Sequence, residues 1–318
     1  MNKTSIYIIT ILILIGGLLY FLQKDNLRGL SNSNSDTNIE TLVSENPTYG
    51  HVHSLFRTAD GMLLMGAHNG MFHSMDDGKT FNKMMPKGDV RSTDFMTFAY
   101  DQNSKTLFAG GHDLGIVKST DSGNTWIKTD GGIKGTDIHA LAINPLDTNR
   151  LFAFSVENGV FGTKDGAKSW YRIDDGPDNP GTRAFGYMAT PSSMDRSMGT
   201  DKSNDIGYLW SGTSGGLYSS FACFCGWTKT KGISDNATIY TLASDLQNPS
   251  TMFAGTKDGI YKTTDEGKSF SKVGADIKDV AALTFDLAKS DLMFAATSTG
   301  EIHRSDDKGN TWILITKK

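Results

Sequence analysis

An eight-residue segment, Ser74-Met75-Asp76-Asp77-Gly78-Lys79-Thr80-Phe81, returns in five further places along the chain, and nothing else in it restricts the possible folds as strongly. The segments Ser119 to Trp126, Thr263 to Phe270 and Ser305 to Trp312 repeat it closely, and Thr163 to Trp170 does so with Ala167 at the glycine place. The segment Ser220 to Trp227 keeps the serine and the tryptophan but has lost the aspartate. Aligned on Asp76, Asp121, Asp165, Ala222, Asp265 and Asp307, successive copies lie 45, 44, 57, 43 and 42 residues apart. A period of that size specifies a repeat architecture.

Each part of the unit has a physical task. A tight turn between two strands leaves backbone N–H groups without ladder partners, and an Asp carboxylate or a Ser/Thr hydroxyl accepts from them. Glycine permits the positive φ of the reversal, and the closing aromatic is expected to bury its ring between neighbouring sheets. Asp76, Asp121, Asp165, Asp265 and Asp307 are therefore expected to be structural.

Between copies the strand signals keep one order. His51 to Phe56, Met62 to Gly66 and Met71 to His73 precede the first segment, and Phe81 opens a fourth run. Four short strands in about 43 residues is a propeller blade. Later blades begin near Asp94, Asp137, Arg183, Thr238 and Asp279, so the expected fold is all-β, a six-bladed β-propeller over residues 50–318. The wide gap carries turn-rich material over residues 177–205, either a recognition loop or a tolerated surface insertion.

Residues 6–22 are an unbroken weakly polar run, long enough to span a bilayer, so an N-terminal transmembrane helix is expected within an anchor over residues 1–25. The rival is a cleaved signal, but the first alanine is Ala59, and no Ala-x-Ala processing site lies nearby. Positive charge is similar on both flanks. Residues 26–49 are Ser/Asn-rich and read as a flexible tether, although Ile39 to Val43 has an alternative use as a strand closing the ring. A formal charge of −4 and a pI near 6.0 give no basic field, which excludes a nucleic-acid partner.

The repeated pattern, Ser/Thr-x-Asp-x-Gly-x-Thr/Ser-Trp/Phe, resembles the Asp-box, or bacterial neuraminidase repeat, over roughly residues 50–318. The chain looks most similar to small exported or membrane-anchored glycosyl-hydrolase-like propellers, whose first strand opens His-x-His-Gly-Leu. Here that strand is His51-Val52-His53-Ser54-Leu55, with serine in place of glycine. It is also similar to photosystem II assembly propellers and, in the box alone, to sortilin-type domains. The resemblance implies an extracytoplasmic propeller. Sialidase chemistry is not expected, because no Arg-Ile-Pro signature is present and arginine is scarce.

The resemblance also implies that inner-strand starts and the turns between second and third strands open on one axial face, with the boxes at the periphery of the other. On that face it would gather His51, His53 and His68 from blade one, Asp94, His112 and Asp113 from blade two, Asp137, His139 and Glu157 from blade three, and Asp279 from blade six. Imidazoles and carboxylates there suit a polar ligand or partner, a divalent metal, or simple satisfaction of neighbouring backbone groups. No cofactor and no catalytic residue is assigned. The leading expectation is a non-catalytic propeller binding a protein or glycan at its axial mouth. A glycoside hydrolase using two mouth carboxylates is the alternative, and metal binding by the mouth histidines is the third reading. Cys223 and Cys225 in the decayed copy are expected to be structural.

Overall fold

The computed structural model describes residues 48–90, 92–177, 181–189, 207–221, 226–273 and 277–316. The anchor over residues 6–22, the tether up to residue 47, most of the 177–205 insertion, and Cys223 with Cys225 lie outside the described residues.

Six antiparallel sheets follow one another along the chain. Their inner strands are Val52–Arg57, Phe95–Asp101, Ile138–Ile143, Thr182–Ala189, Ile239–Ser244 and Val280–Phe285, and these touch in cyclic order. In each blade the second, third and outer strands follow outward in sequence order. Blade two gains a fifth short strand, Lys87–Gly88, parallel to its outer strand Thr125–Lys128. The chain is an all-β six-bladed propeller, and no helix occurs among the described residues.

The repeated turn explains why the strands stop where they do. Ser74 Oγ donates to Asp76 Oδ1 at 2.7 Å and accepts from Gly78 N at 2.8 Å. Asp76 Oδ1 accepts from Thr80 N at 2.9 Å, and its Oδ2 accepts from Thr80 Oγ1 at 2.7 Å. Both of the turn's central residues, Asp77 and Gly78, lie at positive φ, 59° and 85°. The second, third, fifth and sixth turns reproduce the hydroxyl-to-carboxylate bond through Ser119, Thr163, Thr263 and Ser305. Every one of these bonds spans at most four residues, so the turn forms without help from the rest of the ring.

The closing aromatics do what the repeat implies. Trp126 is fully buried against Leu64 and Met71 of blade one, and its indole N–H donates to Gly123 O at 2.9 Å. A Trp of this kind removes roughly 150–250 Å² from water, about 4–6 kcal/mol at ~25 cal/mol/Å². Hydrophobic clusters fill all six inter-blade interfaces.

The ring closes without a swapped strand among the described residues. Val52 N donates to Ser298 O at 2.9 Å, and Val52, Leu55 and Phe72 of blade one pack with Phe294 and Ile302 of blade six. Arg57, 7% exposed, reaches across this seam to Asp286 Oδ2 at 3.2 Å and lies 5.0 Å over the Phe294 ring. Its other arm reaches Asp77 of its own blade at 2.6 Å, and Arg304 of blade six holds the same carboxylate at 2.8 Å. Tyr49 is edge-on to Phe72 at 5.0 Å, so the chain is already seated on blade one at this residue.

Candidate functional site

Two features of the blade put side chains on the axis. The register of every inner strand shifts at its start, between Val52 and Ser54, Phe95 and Thr97, Ile138 and Ala140, Thr182 and Ala184, Ile239 and Thr241, and Val280 and Ala282. An extra residue at such a shift is left out of the ladder and its side chain re-aimed. In blades one and three that residue is histidine, His53 and His139. The second feature is the turn after the second strand. His68 N donates to His51 O at 3.0 Å, which fixes the turn beside the start of the inner strand.

These devices bring seven of the ten expected residues together. His53 Nε2 is 3.7 Å from Asp94 Oδ1, and His68 Nε2 is 3.6 Å from Asp94 Oδ2, across the seam of blades one and two. His112 Nδ1 is 2.8 Å from Asp137 Oδ1 across the seam of blades two and three, and His139 Nε2, of the same blade as Asp137, is 3.0 Å from that oxygen. The ring centres of His53 and His112 are 6.4 Å apart and those of His51 and His53 4.9 Å, so all five imidazoles form one connected group. Because the repeated turns sit at the far ends of these strands, where Leu63 pairs with Ser74, the group lies at the opposite end of the blade from them.

The other three expected residues have no contact with that group among the described interactions. Glu157 is exposed and accepts from Ser155 Oγ at 2.8 Å in its own turn. Asp113 is exposed at a positive-φ turn position and accepts from Thr136 Oγ1 at 3.4 Å. Asp279 contributes its backbone, its N–H donating to Lys257 O at 2.9 Å.

Glycine at position 111 is required by this arrangement. A Cβ there would stand 1.8 Å from Asp94 O, so any larger residue would push the Asp94 backbone out of the seam. Ser54 has a comparable role. Its hydroxyl donates to Phe95 O at 3.0 Å and ties blade one to the residue that follows Asp94.

Burial decides the electrostatics. The His53 side chain is 7% exposed, and that burial, followed by the neighbouring His51, His68, His112 and His139, holds its pKa well below the ordinary imidazole value. It is neutral at neutral pH. Burial also raises Asp94, with His68, His112 and His139 opposing. Burial pushes Asp137 the same way, but the two imidazoles at contact distance outweigh it and hold that carboxyl well below the usual range. His53 Nε2, Asp94 Oδ1, Asp137 Oδ1 and His139 Nε2 are buried without a satisfied hydrogen bond.

Sequence reasoning missed the other half of the axis. Arg183 and Tyr240 occupy the shifted position in blades four and five, with the guanidinium 6.0 Å from the centre of the Tyr240 ring. Burial raises the Tyr240 phenol and Arg183 opposes it. The signal was available, since both align with His53 and His139 in the repeat. At the other end of the axis an apolar cavity of about 220 Å³ is lined by Leu55, Phe98, Leu141, Tyr187, Leu242 and Leu283. The carboxylates on its rim are engaged in turns, Asp245 accepting from Gln247 N and Asp286 from Ala288 N, so the titratable cluster is at the histidine end.

The molecule is thus defined as a propeller with a histidine and aspartate cluster on one end of its axis. No family model matches the chain, and no curated protein matches it. Solved structures share the fold. A GH74 xyloglucanase from Xanthomonas campestris aligns at TM-score 0.54 with 17% identity, over 84% of this chain and 48% of that one. The GH74 enzyme of Niastella koreensis aligns at 0.54 with 18% identity, over 83% and 47%. The extracellular domain of BT4673, a putative one-component system of B. thetaiotaomicron, aligns at 0.51 with 16% identity, over 83% and 39%. The chain therefore spans about half the length of these GH74 enzymes.

Proposed function

We propose that this chain is a membrane-tethered, non-catalytic propeller outside the cytoplasm, binding a protein or glycan at the histidine end of its axis. The observation that carries the reading is the set of four buried, unsatisfied polar atoms on His53, Asp94, Asp137 and His139. Buried polar atoms normally have partners, and unsatisfied ones gathered at one end of the axis favour an incoming ligand. The apolar run over residues 6–22 supports the tether, and the Asp-box character of the repeated turns supports the extracytoplasmic setting.

The reading is tested with full-length protein in membranes, comparing wild type with His68→Ala and His112→Ala. Both residues sit in partly exposed turns, so folding is retained. Loss of glycan-array or cross-linked partner signal in both variants is expected; full retention in both would move the site elsewhere. Protease shaving of intact cells should remove the propeller, and protection would reverse the orientation.

One observation favours a second reading. Asp94 and Asp137 lie in one connected cluster, the pair of carboxylates a carbohydrate hydrolase needs, with Asp94, raised by burial, as acid. Turnover of a polysaccharide panel, abolished by Asp94→Asn, would establish it.

A further inference from the structure

The mouth contains two groups of three side chains whose candidate ligand atoms lie within 4.8 Å of one another: His53, His68 and Asp94, and His112, Asp137 and His139. We propose that each holds one divalent transition-metal ion of the nickel, copper and zinc class, at the seams of blades one with two and two with three. This rests on the reading of the mouth as the binding site and names what makes it bind.

Donor chemistry sets the class of ion. Two imidazoles and one carboxylate suit borderline first-row ions, whereas magnesium and calcium prefer all-oxygen sets. Three protein ligands also leave coordination positions open to an outside donor.

Spacing supports the first group most directly. Ligands about 2.0–2.1 Å from a tetrahedral ion stand roughly 3.3–3.5 Å from one another, while a direct hydrogen bond would bring them to about 2.7–3.2 Å. The 3.7 and 3.6 Å separations around Asp94 are too long for hydrogen bonds and run to different oxygens, Oδ1 facing His53 and Oδ2 facing His68, so the carboxylate and the two imidazoles leave room for an ion between them. In the second group the separations are 2.8 and 3.0 Å, so its members must move apart by about half an ångström to admit an ion. The first site therefore fills before the second.

The unsatisfied atoms fall on residues of the two groups. Nε2 of His53 and Oδ1 of Asp94 belong to the first group, and Oδ1 of Asp137 and Nε2 of His139 to the second. One ion in each group would give all four a partner. With both ions in place, four positive charges stand against two carboxylates and the mouth becomes cationic. Its open positions then take an oxygen donor, such as a partner's carboxylate or a sugar hydroxyl.

The test uses untagged full-length protein in detergent, stripped with chelator, dialysed, and titrated calorimetrically with zinc and with copper, with magnesium as control. Two ions per chain, bound in two steps, are expected, with no magnesium binding. His68→Ala should weaken the tight step at least about 100-fold and leave the weaker one, and His112→Ala should do the reverse. His303→Ala, in blade six, should change neither. Absence of zinc and copper binding, or isotherms unchanged in both mouth variants, would overturn the proposal. Partner or glycan retention, measured with and without chelator, separates the two readings. Retention in chelator that is still lost in His68→Ala keeps the binding mouth and rejects the metals. Two bound ions without retention under either condition keep the metals and reject that class of partner.

Discussion

Nε2 of His68, in a hairpin turn of blade one, stands 3.6 Å from Oδ2 of Asp94, the residue that opens blade two. The other oxygen of that carboxylate faces Nε2 of His53 at 3.7 Å. One carboxylate is thus held between two imidazoles of the neighbouring blade and none of its own. The seam, rather than the blade, is the unit of the site.

Asp94 is placed for binding at a cost to stability. Burial raises its pKa, so the folded state disfavours its ionised form. In chelator-treated protein, Asp94→Asn should leave stability unchanged or raise it by about 1 kcal/mol, while removing ligand binding. A urea midpoint lowered by more than about 2 kcal/mol equivalent would make Asp94 a structural residue instead.

Ser119 is a purely structural counterpart. Its buried hydroxyl accepts from Gly123 N at 2.9 Å and donates to Asp121 at 2.7 Å. Ser119→Ala leaves a buried N–H unpaired and should cost about 1–3 kcal/mol in chemical denaturation. Binding at the mouth should be unaffected once measured well below the melting temperature.

Closure of the ring should depend on Arg57 far more than on Arg304. Arg57 is buried between Asp286 and Asp77, and removing it strands a largely buried Asp286 at the seam. Arg57→Ala is expected to cost about 3–5 kcal/mol. Arg304 is partly exposed and holds Asp77 and Asp306 at the surface, so Arg304→Ala should cost no more than about 1 kcal/mol. Equal melting temperatures for the two variants would contradict this account of closure.

The repeated turns make the fold sensitive to acid. The hydroxyl and N–H of Thr80 bond the Asp76 carboxylate and bring its pKa from 3.8 to about 2, and those of Ser269 do the same for Asp265. A folded pKa below the unfolded one means stability that is present above about pH 4 and is lost as pH falls through about 2. Thermal melts should therefore fall across that window. Asp76→Asn combined with Asp265→Asn should start lower at neutral pH and show a shallower fall. An undiminished acid dependence in the double variant would assign it to other carboxylates.

Much of this was legible in the residues. The turn bonds of Ser74, Asp76, Gly78 and Thr80 span four residues or fewer, so one copy specifies them, and repetition at near-constant spacing specifies six sheets. The blade starts near Asp94, Asp137 and Asp279 fall within a residue of the observed strands Phe95–Asp101, Ile138–Ile143 and Val280–Phe285. The same repeat alignment places Arg183 and Tyr240 at the position of His53 and His139.

What local spacing lacks is the rotation from one blade to the next. That rotation pairs Asp94 with His53 and His68 rather than with its own blade, and turns Arg57 toward Asp286, 229 residues away. It also leaves Asp113, Glu157 and Asp279 outside the cluster although they occupy matching places in the repeat. Short-range hydrogen bonds fix each blade, whereas the packing of one blade's apolar face on the next fixes the angle between them. Only the closed ring determines which distant side chains share a seam.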